Sequence, residues 1–135
     1  MSISPVLLAM LVCDTTIRDI QSKKISLIGC FSSVFAKETP FMYNQFSLFV
    51  CVTEVMGTVP ITIQIKNLLN DEILVKDISI KIESIDSTNP IEFVITLNNV
   101  VFPDFGQYAI ELFGCGELLG SVKISISKIP NKDGL

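Results

Sequence analysis

The sequence predicts an all-β fold, a sandwich of two antiparallel sheets, and three observations lead there. Apolar and polar residues alternate with period two along four segments in the middle and end of the chain. Clusters of Gly, Pro, Asn and Asp separate those segments at intervals of about ten residues. No helical period persists beyond a turn or two. Strands put successive side chains on opposite faces, so this alternation describes sheets with one buried face and one wet face. About seven or eight strands are expected, with immunoglobulin-like or C2-like topology. A closed barrel is the alternative, because alternation does not separate the two.

The first element is apolar throughout. Ser2–Val12 carries no charge. It lacks the basic n-region and the small-x-small site of a secretory signal. Met10-Leu11-Val12-Cys13 puts Val12 where a lipoprotein box requires a small residue. The segment is also shorter than the roughly 20 residues that cross a bilayer. It is therefore read as a buried strand over Val6–Cys13, and no membrane span is expected. The polar stretch Thr15–Lys24 is expected to hold one helical turn, capped by Asp14 or Thr16.

The next two strands, over Leu27–Phe35 and Phe46–Val52, are apolar on both parities. Phe46, Leu48, Val50 and Val52 form one row of the latter; Phe49 and Cys51 stand in the other. Something is expected to cover that second face. Between these strands, Pro40–Phe46 reads as a connecting segment. Its Phe41, Met42 and Tyr43 suit a binding surface, where aromatics and Met are enriched. The competing reading folds them over the open end of the core.

The alternating segments follow. Ile61, Ile63 and Ile65 interleave with Thr62, Gln64 and Lys66, and Ile78, Ile80 and Ile82 with Ser79, Lys81 and Glu83. Ile91, Phe93, Ile95 and Leu97 interleave with Glu92, Thr96 and Asn98, Val94 being the exception. Val122, Ile124 and Ile126 close the series. Turn residues at Gly57–Pro60, Asn67–Glu72, Asp86–Pro90, Pro103–Gly106 and Gly114–Glu117 punctuate it. Residues 1–129 form one expected domain and 130–135 a frayed polar tail.

Composition narrows function. The chain has 135 residues, 49% of them apolar and 18% charged, with a net charge of −4. There is ample apolar surface for a core, and no disulfide or metal is needed to fold. Histidine is absent, which removes Ser-His-Asp and Cys-His catalysis and imidazole zinc sites together. The acidic balance argues against nucleic acid, whose affinity rests on clustered Lys and Arg. Tryptophan is absent and tyrosine is confined to Tyr43 and Tyr108, which weakens a carbohydrate-stacking role. Cys13, Cys30, Cys51 and Cys115 contain no C-x-x-C pair, so zinc by four thiolates is disfavoured. Reduced thiols and a cytoplasmic setting are expected.

Asp104-Phe105-Gly106-Gln107-Tyr108 matches the D-x-G-x-Y pattern that precedes the late strand of immunoglobulin-type sandwiches. There the tyrosine hydroxyl bonds back to the chain upstream and fixes the strand entry. Asp104, Gly106 and Tyr108 are thus structural candidates. Ile110 stands where antibody domains place a disulfide cysteine.

Val12-Cys13-Asp14, followed by Lys24-Ile25-Ser26-Leu27-Ile28-Gly29-Cys30-Phe31, is the most distinctive part of the chain. Together with Pro40 and Gly106–Ile110, it resembles a family of small uncharacterised bacterial β-sandwich domains. Their chains open on a hydrophobic strand ending in Cys-Asp and continue with K-x-S-L-I-G-x-F. Family members usually carry Gly before that Lys, where this chain has Lys23. The resemblance implies a fold class and brings no activity, substrate or cofactor.

Other chemistry is thin. Asn70, Asp71, Glu72, Asp86 and Asp104 lie in expected loops, and loops at one end of a sandwich can gather carboxylates for calcium. No local D-x-D-x-D run supports that. Asp19 with Glu38, or Glu54 with Glu111, are the carboxylate pairs considered for hydrolysis; nothing in their spacing brings them together. Gly114-x-Gly116 leads into a strand, so no helix N-terminus holds a phosphate. The leading expectation is a non-enzymatic interaction or structural module without cofactor or metal. Its partner is a protein or a second copy of the chain, bound through Ile28, Cys30, Phe49 and Cys51. A calcium- or small-ligand-binding sandwich using its end loops is the alternative.

Overall fold

The computed structural model describes residues 4–130, so the last five residues of the expected tail lie outside the described residues. Nine strands follow in chain order: β1 (Val6–Arg18), β2 (Ile25–Cys30), β3 (Ser33–Ala36), β4 (Phe41–Thr53), β5 (Gly57–Asn67), β6 (Ile73–Ser84), β7 (Ile91–Phe102), β8 (Gly106–Gly114) and β9 (Glu117–Lys128). They build two sheets. Sheet one has the order β2-β1-β4-β7 and sheet two the order β3-β9-β8-β5-β6. The two pack face to face as a sandwich, and neither closes into a barrel. Among the described residues there is no helix, hence none long and apolar enough to cross a membrane.

The core is the apolar parity of the alternating segments. Phe46, Leu48, Val50 and Val52 of β4 face Ile61, Ile63 and Ile65 of β5 and Ile110 and Leu112 of β8, all fully buried. Each such side chain contributes about 1.5–3 kcal/mol relative to leaving it in water. The edge-strand row Ile78, Ile80 and Ile82 packs on the same core.

Three expectations are corrected. The segment Leu27–Phe35 is two strands. The chain leaves sheet one after Cys30 and enters sheet two at Ser33, where β3 pairs with β9 in parallel. This crossover raises the strand count to nine and makes one pair parallel. At the crossing, Ser125 donates its amide to the Ser32 carbonyl (2.9 Å). Second, no helical turn starts at Asp14 or Thr16, both of which lie inside β1. The turn residue is Asp19, whose carboxylate accepts from the amides of Gln21 (2.8 Å) and Ser22 (3.0 Å). Those two bonds hold the Asp19 carboxyl below the usual carboxylate range. Lys23 closes this turn with a φ of 66°, the left-handed region that glycine occupies at no steric cost.

Third, Phe41–Phe46 is strand, paired with β7 from Phe41↔Phe102 to Phe46↔Leu97. Period two hid it because the inward positions step by three. They run Phe41, Tyr43, Phe46 on β4 and Leu97, Val100, Phe102 on β7. Asn44, Gln45, Asn98 and Asn99 are exposed at the step, and Asn99 has a φ of 55°. Both strands change face at the same rung, so the ladder survives.

The expected tyrosine corner is present. Tyr108 is fully buried, donates its hydroxyl to the Asp104 carbonyl (2.7 Å) and accepts from the Asp104 amide (3.1 Å). Gly106 between them has a φ of 138°, a region essentially restricted to glycine.

Candidate interaction face

The two outer faces of the sandwich differ in chemistry. On sheet two the outward face carries a central polar row, Thr62, Gln64 and Lys66 on β5, Glu111 on β8, and Ser121, Lys123 and Ser125 on β9, with Phe113 and Leu118 at one end and Phe35 on the β3 edge at the other. Gln64 donates to the Glu111 carboxylate (2.7 Å), and Lys66 lies 3.8 Å from both Glu111 and Asp71. That central row is an ordinary solvated surface.

Sheet one is different. The register sets Leu11 opposite Phe49, Ala9 opposite Cys51 and Cys13 opposite Ser47 across β1 and β4. Phe49 in turn lies opposite Val94 of β7. On the other flank, Cys13 is opposite Cys30 and Thr15 opposite Ile28 of β2. Directly opposed residues share a face. All of these stand on the parity opposite to Met10, Val12, Leu48 and Val50, which point into the core, although Cys13 and Ser47 are themselves buried among their neighbours. Leu11 is 47% exposed and Ile28 45%. Phe49, Cys51, Val94 and Ala9 are half-buried by one another. Thr15, Thr96 and Glu92 form a polar border.

Ile28, Cys30, Phe49 and Cys51, the four residues singled out from the sequence, thus lie on one face. They are not on neighbouring strands: β1 runs between β2 and β4 and fills the gap with Leu11 and Cys13. Leu11 and Val94 were not singled out. Their signals were present, Leu11 in a strand apolar on both parities and Val94 as the one break in the alternation of β7. Among the described residues no segment covers this face. The thiol of Cys51 is pushed up by burial and then by the neighbouring Glu92 carboxylate.

Phe41, Met42 and Tyr43 divide. Phe41 and Tyr43 turn inward and close the end of the core. Tyr43 stacks on Phe31 (5.5 Å between ring centres) and meets Phe46 edge-on at 5.1 Å. Its hydroxyl donates to the Asp14 carboxylate. Burial first, and then that bond, push the Tyr43 phenol upward. Only Met42 of the three is exposed.

The acidic loops sit at two ends. Asp71, Glu72 and Asp104 lie beside the β5–β6 and β7–β8 turns, at the end where Asn67 pairs with Tyr108. Asp86 follows Ser84, which pairs with Gly57 at the opposite end. Asp86 is engaged in its own turn, accepting from the amide (3.0 Å) and hydroxyl (2.7 Å) of Thr88. Among the described residues no group of three or more His, Cys, Asp or Glu is placed to hold a metal. Besides the Tyr108 hydroxyl and the Cys13 thiol, the buried polar side chains among them are Ser47 and Asn67. Where β2 departs from β1, a cleft of about 420 Å³ opens between the sheets, lined by Met10, Val12, Cys30, Phe31, Val122 and Lys123 among others. Its walls bring no carboxylate pair together.

A family profile matches residues 8–127. The chain belongs to DUF6941, a family of unknown function. The DUF6941 match begins in β1 and ends in β9, so it takes in part of every strand of both sheets. No curated protein matches the sequence.

Proposed function

We propose that this chain is a non-enzymatic interaction module that pairs with a second copy of itself through the outer face of sheet one. The observation that carries this is the contrast between the faces: on sheet two a central polar row separates Phe35 from Phe113 and Leu118, whereas on sheet one Leu11, Phe49 and Ile28 stand together at the centre and flank. Contiguous apolar patches of this kind mark partner sites on soluble domains. An apolar centre with a polar border is also the ordinary anatomy of an interface. Strands about 4.8 Å apart, rising about 3.3 Å per residue, give the stretch from Ala9 to Thr15 across four strands an extent of about 400 Å². That is the size of patch that marks a partner site, and about half the roughly 800 Å² per partner of a standard interface. A self-complementary face under two-fold symmetry needs no second surface. With Glu92 as its only acid, the face concentrates little of the chain's net charge of −4 against its copy. We place the module in a reducing, cytoplasmic setting, since its thiols are free and Cys30 and Cys115 are exposed.

Light scattering behind size exclusion tests this. The wild-type chain is expected to run at twice its 14.9 kDa mass. Phe49→Glu, which places a charge at the centre of the face, is expected to run as a folded monomer. A wild-type monomer at the highest attainable concentration sinks the proposal.

A further inference from the structure

We infer that Cys13 and Cys30 form a cross-strand dithiol that a small disulfide oxidises to an intramolecular bridge, stapling the edge strand β2 to β1. The two residues are directly opposed in an antiparallel pair. The Phe31 amide donates to the Val12 carbonyl (3.1 Å) one rung beyond them. That bond marks the 13/30 rung as a non-hydrogen-bonded one, where opposed Cα atoms stand about 4.5 Å apart and side chains approach most closely. Disulfides span Cα separations of about 4.4–6.8 Å, so the bridge needs no movement of the strands. The other two cysteines are out of range. Cys51 is opposite Ala9, four residues along β1 from Cys13, or about 13 Å. Cys115 lies in the β8–β9 turn of the other sheet.

Exposure sets the order of events. In the single chain Cys30, on the edge strand at the flank of the proposed pairing face, is exposed and Cys13 is fully buried. Burial, and then the adjacent Cys30, also push the Cys13 thiol up. Cys30, the thiol that a small disulfide can reach, attacks as its thiolate one sulfur of that disulfide, releasing one thiolate and forming a mixed disulfide. Cys13 then gives up its proton and attacks the Cys30 sulfur, expelling the second thiolate. Two protein thiols and one disulfide become one protein bridge and two small thiols, with two electrons passing to the oxidant.

The test is non-denaturing oxidation with glutathione disulfide, followed by alkylation and proteolysis without reductant. The expected product is a linked peptide pair containing Cys13 and Cys30. Cys51→Ser and Cys115→Ser are expected to leave that link in place, whereas Cys13→Ser stops at a glutathione adduct on Cys30. Cys30→Ser, an exposed and mild change, abolishes the link even if Cys13→Ser fails to fold. The same reaction on Phe49→Glu separates the dithiol from self-association, because the link is expected in that variant too. Recovery of Cys13 and Cys30 as free thiols, or a persistent glutathione adduct on wild-type Cys30, overturns the inference.

Discussion

Tyr108→Phe isolates the corner that fixes the entry to β8. The ring stays: Phe102 meets it edge-on at 4.9 Å and 72°, and phenylalanine keeps that contact. What goes is one oxygen with two backbone partners, the Asp104 carbonyl at 2.7 Å and the Asp104 amide at 3.1 Å. Each bond contributes about 0.5–1.5 kcal/mol net, with more lost where a partly buried partner is left unpaired. The expected loss is about 2 kcal/mol. In a domain of this size that lowers the thermal midpoint by roughly 6–10 °C. Urea denaturation measures it as a fall in midpoint at constant slope. Asp104→Ala is the control. Both bonds use the Asp104 backbone, and its side chain is exposed, so it is expected to change stability by less than about 0.5 kcal/mol. Tyr108→Phe within that same margin, or Asp104→Ala costing as much, refutes the reasoning.

Three further outcomes follow from the same geometry. Lys23→Gly relieves a left-handed residue, a strain of about 1–2 kcal/mol, against an unfolded-state entropy cost of about 0.5–1 kcal/mol. A rise of about 0.5–1 kcal/mol is expected in urea, and a fall would contradict the turn geometry. Burial, above all, raises the Tyr43 and Tyr108 phenols from the ordinary value of 10.0. The unfolded chain therefore loses those protons first, and the stability they contribute is full below pH 10 and lost as pH rises beyond it. Midpoints measured across that range should fall, less steeply in Tyr108→Phe; a flat profile would remove the assignment. Millimolar calcium is expected to leave the thermal midpoint unmoved, because Asp86 lies at the other end of the sandwich from Asp71 and Asp104. An upward shift would restore the ligand-binding alternative.

How far the fold was legible depended on whether local chemistry and tertiary placement agreed. Ile61, Ile63 and Ile65 alternate in sequence and are buried in the sandwich, because β5 is a central strand with one wet face. The Asp104–Tyr108 corner was legible because it is closed within five residues. The break between Cys30 and Ser33 was not. Ile28 to Phe35 is apolar enough for one strand, and what divides it is the separation of two sheets, which period two does not encode. The step at Asn44 was hidden for a related reason. It needs a matching step at Asn98 and Asn99 on β7, some fifty residues away, and neither half announces the other.

The candidate face was legible in composition and illegible in arrangement. Apolar residues on both parities of β1 and β4 state that two surfaces leave water or meet something. They do not state which strands adjoin. Placing β1 between β2 and β4 changes the meaning of the same residues. It converts Ile28 and Phe49 from supposed neighbours into the flank and centre of a wider patch, with Leu11 between them. It also sets Cys13 against Cys30, a juxtaposition that their separation of seventeen positions conceals. Val94 shows the converse. Its departure from alternation looks like noise along β7 alone, yet opposite Phe49 it extends the apolar surface across a third strand. A residue that breaks its own strand's pattern while completing its neighbour's is accounted for by a face shared between strands, and that is why the outer side of sheet one, and no loop or cleft, is where a partner is expected.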